Sequence, residues 1–177
     1  MCRRRCSLAM LGLASMAIVG CAALPLPADL VAGRLSVQVG PFGSQSARGL
    51  SAGFELRGNA EAGELRLTQA LGLQLAQASW SGRQARLVTA AGESSYADVE
   101  SLARDALGEP LPLRALPDWL RGRPWPGAAS TPLAGGFVQL GFTVDLSRWH
   151  EGRLEARRAG DAAAPALRVL VLLDRPQ

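Results

Sequence analysis

The chain has 177 residues, 48% of them hydrophobic, with 19 basic side chains against 15 acidic ones and a formal net charge of +4. A single histidine beside cysteines that are consumed elsewhere cannot build a metal site, and no concentrated run of basic residues marks a nucleic-acid partner. No G-x-x-x-x-G-K-[ST] loop is present, which agrees with work that needs no nucleotide.

The N-terminus reads first. Arg3, Arg4 and Arg5 form a positive region, Leu8 to Val19 is an almost unbroken apolar run, and Ile18-Val19-Gly20-Cys21 ends it at a cysteine preceded by a small residue. This is the three-part layout of a secretory signal, with an apolar stretch too short for a stable membrane span. A cysteine at the cleavage point makes the string a bacterial lipobox, whose thiol takes a diacylglyceryl group before cleavage. An ordinary signal peptide with an incidental cysteine is the alternative.

On the lipobox reading, residues 1–20 are a lipoprotein signal peptide and 157 of the 177 residues remain, enough for one domain with a core. The leader removes three of 19 basic residues and none of the 15 acidic ones, so the mature chain holds 16 against 15, a net charge of +1. Cys2 and Cys6 leave with the leader and Cys21 is acylated, so no disulfide is expected. The one prosthetic group expected is the covalent N-acyl diacylglyceryl lipid on Cys21. Ala22, rather than an aspartate, follows Cys21, which under the usual enterobacterial sorting rule directs the mature form to the outer membrane.

Residues 21–32 read as a lipidated tether carrying Pro25 and Pro27, and 33–177 as the domain. Arg34 to Val39 alternates polar and apolar, the mark of a strand with one buried face. Pro41 to Gly49 is a turn or loop, after which Leu50, Ala52, Phe54 and Leu56 alternate with polar residues on a second strand. Asn59 to Gly63 turns the chain into a third strand with Leu65 and Leu67. Gly72 interrupts the pattern before Leu73 and Leu75, and Ser81-Gly82 leads into a strand over Arg83 to Ala90. Strands this closely spaced form an antiparallel meander.

The period then changes. Val99, Leu102, Ala103, Ala106 and Leu107 fall at helical spacing, with Asp98 or Ser95 as cap and Gly108 as stop. Leu113, Leu116, Trp119 and Leu120 form a shorter stripe that Pro117 resets, since proline cannot donate an interior helical bond. Residues 122–136 are Gly/Pro-rich and read as loop. Val138, Leu140, Phe142, Val144 and Leu146 alternate cleanly as one strand, and Leu154 to Arg158 and Leu167 to Asp174 supply the last two. The fold class is α+β: one antiparallel sheet with helices on one face.

One catalytic pattern needs weighing. Gly49-Leu50-Ser51-Ala52-Gly53 matches G-x-S-x-G, and Asp98 and His150 follow in the order of a serine esterase. A nucleophile elbow requires strand, sharp turn and helix, whereas here the strand alternation runs straight through Ser51. His150, the only histidine, falls in a polar bend and reads as a solvated loop residue. The chain is not read as an enzyme.

Several pieces now align with one family. They are Gly33-Arg34-Leu35-Ser36-Val37, the loop Gln69-Ala70-Leu71-Gly72-Leu73, Tyr96 leading into an acidic helix, and Ala106-Leu107-Gly108. Leu111-Pro112-Leu113, Leu116 and Trp119-Leu120-Arg121-Gly122-Arg123-Pro124 follow in the same order. Over most of the mature chain these resemble the outer-membrane lipoprotein LolB family. Against that family, Ala70 stands where proline is common, Phe142 stands where tryptophan is frequent, and only eleven residues separate Cys21 from Gly33.

The resemblance implies a curved antiparallel sheet forming an incomplete barrel, with helices over an apolar cavity. The cavity would receive the acyl chains of client lipoproteins from the soluble periplasmic carrier LolA. The protein, a monomer facing the periplasm, would then release them into outer-membrane lipid. Residues expected to line the cavity are Leu35, Val37, Phe54, Leu56, Leu65, Leu67, Leu116, Trp119, Leu120, Leu140 and Phe142. Physically, a palmitoyl-length chain represents roughly 12 kcal/mol of transfer energy at about 0.8 kcal/mol per methylene, which only an apolar cavity can supply. The same inward faces would equally suit a filled core, as in a structural or envelope-assembly lipoprotein on this scaffold; periodicity does not separate the two. Leu71 and Gly72 occupy a hairpin connection. Leu71 is either a projecting membrane-insertion residue, as the family's apolar loop implies, or the inward-packed start of the next strand.

Overall fold

The computed structural model describes residues 30–69 and 71–174. The leader, the acylation candidate Cys21 with most of its tether, Ala70 and the last three residues lie outside them. Eleven strands make one antiparallel sheet: β1 (Val31–Val39), β2 (Arg48–Gly58), β3 (Ala62–Thr68), β4 (Gln74–Ser81), β5 (Gln84–Thr89), β6 (Gly92–Tyr96), β7 (Ser130–Leu133), β8 (Gly136–Gln139), β9 (Phe142–Asp145), β10 (Arg153–Arg158) and β11 (Leu167–Leu173). Two helices, α1 (Val99–Leu107) and α2 (Leu116–Leu120), interrupt the series between β6 and β7. The strand order is β6-β5-β4-β3-β2-β1-β11-β10-β9-β8-β7. The first and last strands therefore pair at the centre, from Gly33 opposite Leu173 to Val39 opposite Leu167. The sheet stays open, with β6 and β7 as its edges. Pro132 on β7 blunts one of those edges by removing a donor.

Alternation explains the inner face. Leu35, Val37 and Val39 of β1, Phe54 and Leu56 of β2, Leu65 of β3, and Val169 and Val171 of β11 are buried in one cluster with α1, α2, Phe137 and Phe142. Helix α1 starts where the Asp98 carboxylate accepts the Ser101 N–H at 2.7 Å, so Asp98 and not Ser95 is the cap. It stops at Gly108, whose left-handed φ of 72° a side chain would strain. Pro117 lies in the first turn of α2, where its missing N–H costs nothing. Among the described residues no helix is long and apolar enough to cross a membrane.

Three expectations fail locally. The alternation over residues 138–146 is not one strand: β8 and β9 are joined by a two-residue turn at Leu140-Gly141, with φ of 52° and 78°. That turn puts Gln139 opposite Phe142, so the inward set changes parity. Phe137 and Gln139 point in, while Leu140 is 44% exposed at the turn and belongs to no cavity wall. Residues 122–136, read as loop, contain β7. Ser95, read as a possible cap, and Tyr96, read as leading into the helix, belong instead to β6 on the sheet edge. In addition, β1 begins at Val31, inside the stretch assigned to the tether.

Candidate functional site: an apolar cavity beside a projecting loop

The interior divides in two. Under α1 and α2 lies an apolar cavity of about 240 Å³. Its walls come from β1, β2, β3 and β11 through Leu35, Val37, Leu50, Phe54, Leu65, Leu67, Val169 and Val171, and from β4 and β5 through Ala76, Ala78, Leu87 and Thr89. The helical segment adds Leu102, Ala103, Ala106, Leu107, Leu111, Leu113, Leu116 and Leu120 to its lining. Thr89 is the one polar side chain of this lining. Of the residues expected here, Leu35, Val37, Phe54, Leu65, Leu67, Leu116 and Leu120 line this space. Small residues make the hollow: Ala76, Ala78, Ala103 and Ala106 face it, and no aromatic except Phe54 fills it.

The other half is packed shut, and Leu56, Trp119 and Phe142 belong to the core rather than to the cavity wall. The Trp119 ring lies 5.7 Å from that of Phe142 and 6.3 Å from that of Phe137. Gln139, 1% exposed, ties this half together. Its side-chain oxygen accepts the Trp119 Nε1–H at 2.8 Å and the Trp125 N–H at 2.9 Å. Its amide nitrogen donates to the carbonyls of Trp125 and Ala128 at 2.7 and 2.8 Å. All four hydrogen-bonding positions of the amide are used. Sequence reading missed Gln139 because it counted as the polar member of an alternation whose parity was misassigned.

Arginines fasten the helical segment to the sheet at its bend. Arg48 donates to the Leu107 carbonyl from Nε at 3.3 Å and Nη2 at 3.2 Å, and from Nη1 to Gln45 Oε1 at 2.8 Å. A Cβ on Gly108 would fall 2.4 Å from Arg48 Nη2, a second reason for glycine there. Arg158 binds Glu109 at 3.1 Å and lies over the Phe142 ring, 5.6 Å from its centroid. Further along, Arg114 reaches Glu100 at 3.1 Å.

The β3–β4 connection is the other notable feature. A turn in which the Gln69 N–H donates to Leu73 O at 2.8 Å and the Gly72 N–H to Gln69 O at 2.9 Å presents Leu71 outward. Leu71 is 89% exposed and Leu73 64%, while Gly72 takes a left-handed φ of 78°. Ser51 sits mid-strand in β2, its hydroxyl donating to Ser36 Oγ at 3.1 Å, and the backbone there makes no elbow. His150, in a short 3-10 turn at Trp149–Glu151, lies on the surface 3.7 Å from Glu151, and Asp98 is occupied as a helix cap.

The fold is thus an open antiparallel sheet with an apolar internal cavity and an exposed leucine at a neighbouring loop tip. The family model for outer membrane lipoprotein LolB matches residues 30–162. The chain is 34% identical over 171 residues to the outer-membrane lipoprotein LolB of Bordetella pertussis (86% of this chain, 78% of the relative). It is 34% identical over 191 residues to that of Ralstonia nicotianae (94% and 86%) and 31% identical over 137 residues to that of Chromobacterium violaceum (73% of each). The chain belongs to the LolB family, and its place is the outer membrane, held there by lipid.

Proposed function

We propose that this protein accepts lipoproteins from the periplasmic carrier LolA, holds their acyl chains in the apolar cavity, and releases them into the outer membrane without covalent chemistry. The observation that carries this reading is the cavity itself: about 240 Å³ of apolar space in a fold whose other half is closed by aromatic packing. Its volume is below the roughly 300–1,000 Å³ usual for ligand pockets, so loading requires the helical segment to move outward. Helices α1 and α2 then act as a cover on the concave face of an incomplete barrel. Direction needs no nucleotide if this protein binds the chains more tightly than the carrier does.

Residues 1–20 are assigned as signal peptide and Cys21 as the acylated anchor. Cys21→Ser should leave an unprocessed precursor; normal processing and fractionation of that variant would remove the assignment. Leu71 and Gly72 are assigned to membrane insertion, because a solvated leucine gains transfer energy by entering the interface. The test is reconstituted transfer from loaded carrier to acceptor vesicles. Wild type should deliver, and Leu71→Glu should load but fail to deliver. Failure of wild type to load at all would favour the structural, filled-core reading.

A further inference from the structure

The outer face of the sheet distributes its charge unevenly. On β2 and β3, Arg57 and Arg66 are matched by Glu55 and Glu64, with contacts from 3.1 to 4.0 Å, and on β5 and β6 Arg86 is bound by Glu93. On β1, β10 and β11 the outer face carries Arg34, Arg153, Arg157 and Arg168; the last three surround Glu155, and Asp145 at the end of β9 also faces Arg157 and Arg153. Glu155 accepts from Arg168, lies 2.7 Å from Arg157 Nε and 3.8 Å from Arg153 Nη2. Arg34 has no ion-pair partner among the described residues. The neighbouring Asp145 carboxylate accepts the Ser147 N–H at 2.9 Å. Pairing through Nε leaves the outer guanidinium N–H groups of Arg157 and Arg168 to face solvent.

The strand register links this face to the projecting loop. Thr68, Gly53, Arg34, Leu172 and Arg153 form one cross-strand row, with Thr68 at the base of the loop that carries Leu71. The intervening Gly53 has no side chain to separate them, and one depression is lined by Gly72, Arg34, Leu170 and Leu172 together with Glu55 and Asp174. Leu172 is 47% exposed among the arginines. Cations mixed with exposed leucines suit a bilayer interface, where apolar burial and attraction to anionic headgroups add.

We propose that the β1–β11–β10 outer face is a docking surface for the anionic headgroups of membrane phospholipids, lying against the bilayer when the Leu71 loop inserts. The proposal rests on the membrane-facing reading of that loop and adds the lipid class and the orientation. Each cation held against an anionic surface is worth about five-fold in partitioning, so removing two costs more than ten-fold.

The test uses the lipidated full chain reconstituted in phosphatidylcholine vesicles with or without phosphatidylglycerol, with a headgroup-linked quencher. A fluorophore is placed at Ser36→Cys on this face or at Gln77→Cys on the charge-balanced face. The expected result is phosphatidylglycerol-dependent quenching at position 36 and none at 77. That quenching should weaken in Arg157→Gln/Arg168→Gln and also in Arg34→Gln, which leaves the Glu155 cluster intact and guards against misfolding. Equal quenching at both positions, no dependence on phosphatidylglycerol, or a response only to an acidic polypeptide would overturn it. If only the loop reading is wrong, Leu71→Glu delivers normally while the lipid response of this face persists.

Discussion

The two halves of the interior are built on one sheet from similar apolar inventories, yet one is hollow and the other solid. The solid half has Trp119 in ring contact with both Phe137 and Phe142, beside a fully bonded glutamine. The hollow half presents leucines and alanines under two helices whose bend is fastened by polar contacts. Dense packing and a satisfied buried amide confer rigidity; small side chains leave room. Periodicity leaves a lined hollow and a filled core open; the cavity is lined by leucines and alanines, while Trp119 and Phe142 pack together outside its lining.

The largest effect should come from the solid half. Gln139→Leu would strand the Trp119 Nε1–H, the Trp125 N–H and two carbonyls, costing about 3–5 kcal/mol. At roughly 2–4 °C per kcal/mol for a chain of this size, the thermal midpoint should fall by about 10 °C. A shift of only a degree or two would mean the amide network contributes little.

Adding volume sharpens the contrast. Ala156→Leu, on the buried face of β10, should overpack the solid half and destabilise it by about 1–3 kcal/mol. Ala103→Leu projects the same added groups into the cavity and should be close to neutral by thermal melting. Equal destabilisation by the two would erase the distinction between the halves.

A smaller effect concerns Glu155. The hydrogen bond from Arg168, with Arg157 nearby, holds its carboxyl below the ordinary value of 4.5. A depressed folded-state value stabilises fully above the unfolded value and is lost as pH falls through the folded one. The midpoint gap between wild type and Glu155→Gln should thus be flat near neutrality and narrow below about pH 4.5. A gap that widens on acidification would contradict this sign. Smallest of all, Leu71→Glu should leave the midpoint unchanged, because the side chain is 89% exposed in the folded state.

Much of the strand order along the chain was legible, because β1 to β5, β10 and β11 have buried faces that force a period of two. Features set by turns or by distant pairing were not. Leu140-Gly141 sits inside an apparently unbroken alternation, and only its left-handed backbone reveals the reversal. β6 and β7 are exposed edges built from residues such as Ser94, Ser95, Ser130 and Thr131, with no apolar rhythm to announce them. The arginine face escaped because its members come from three strands that only the β1–β11 pairing brings together. The hollow was invisible for a related reason: it depends on which alanines face one another across the interior.

The central claim, that the hollow half receives acyl chains, is tested most directly by titrating a fluorescent fatty-acyl probe into the protein and into Ala103→Leu. Saturable uptake by wild type, weakened ten-fold or more in Ala103→Leu while Ala156→Leu binds as wild type at a temperature where it is folded, is the predicted result. Absence of uptake by wild type, or uptake indifferent to Ala103→Leu, would contradict the account.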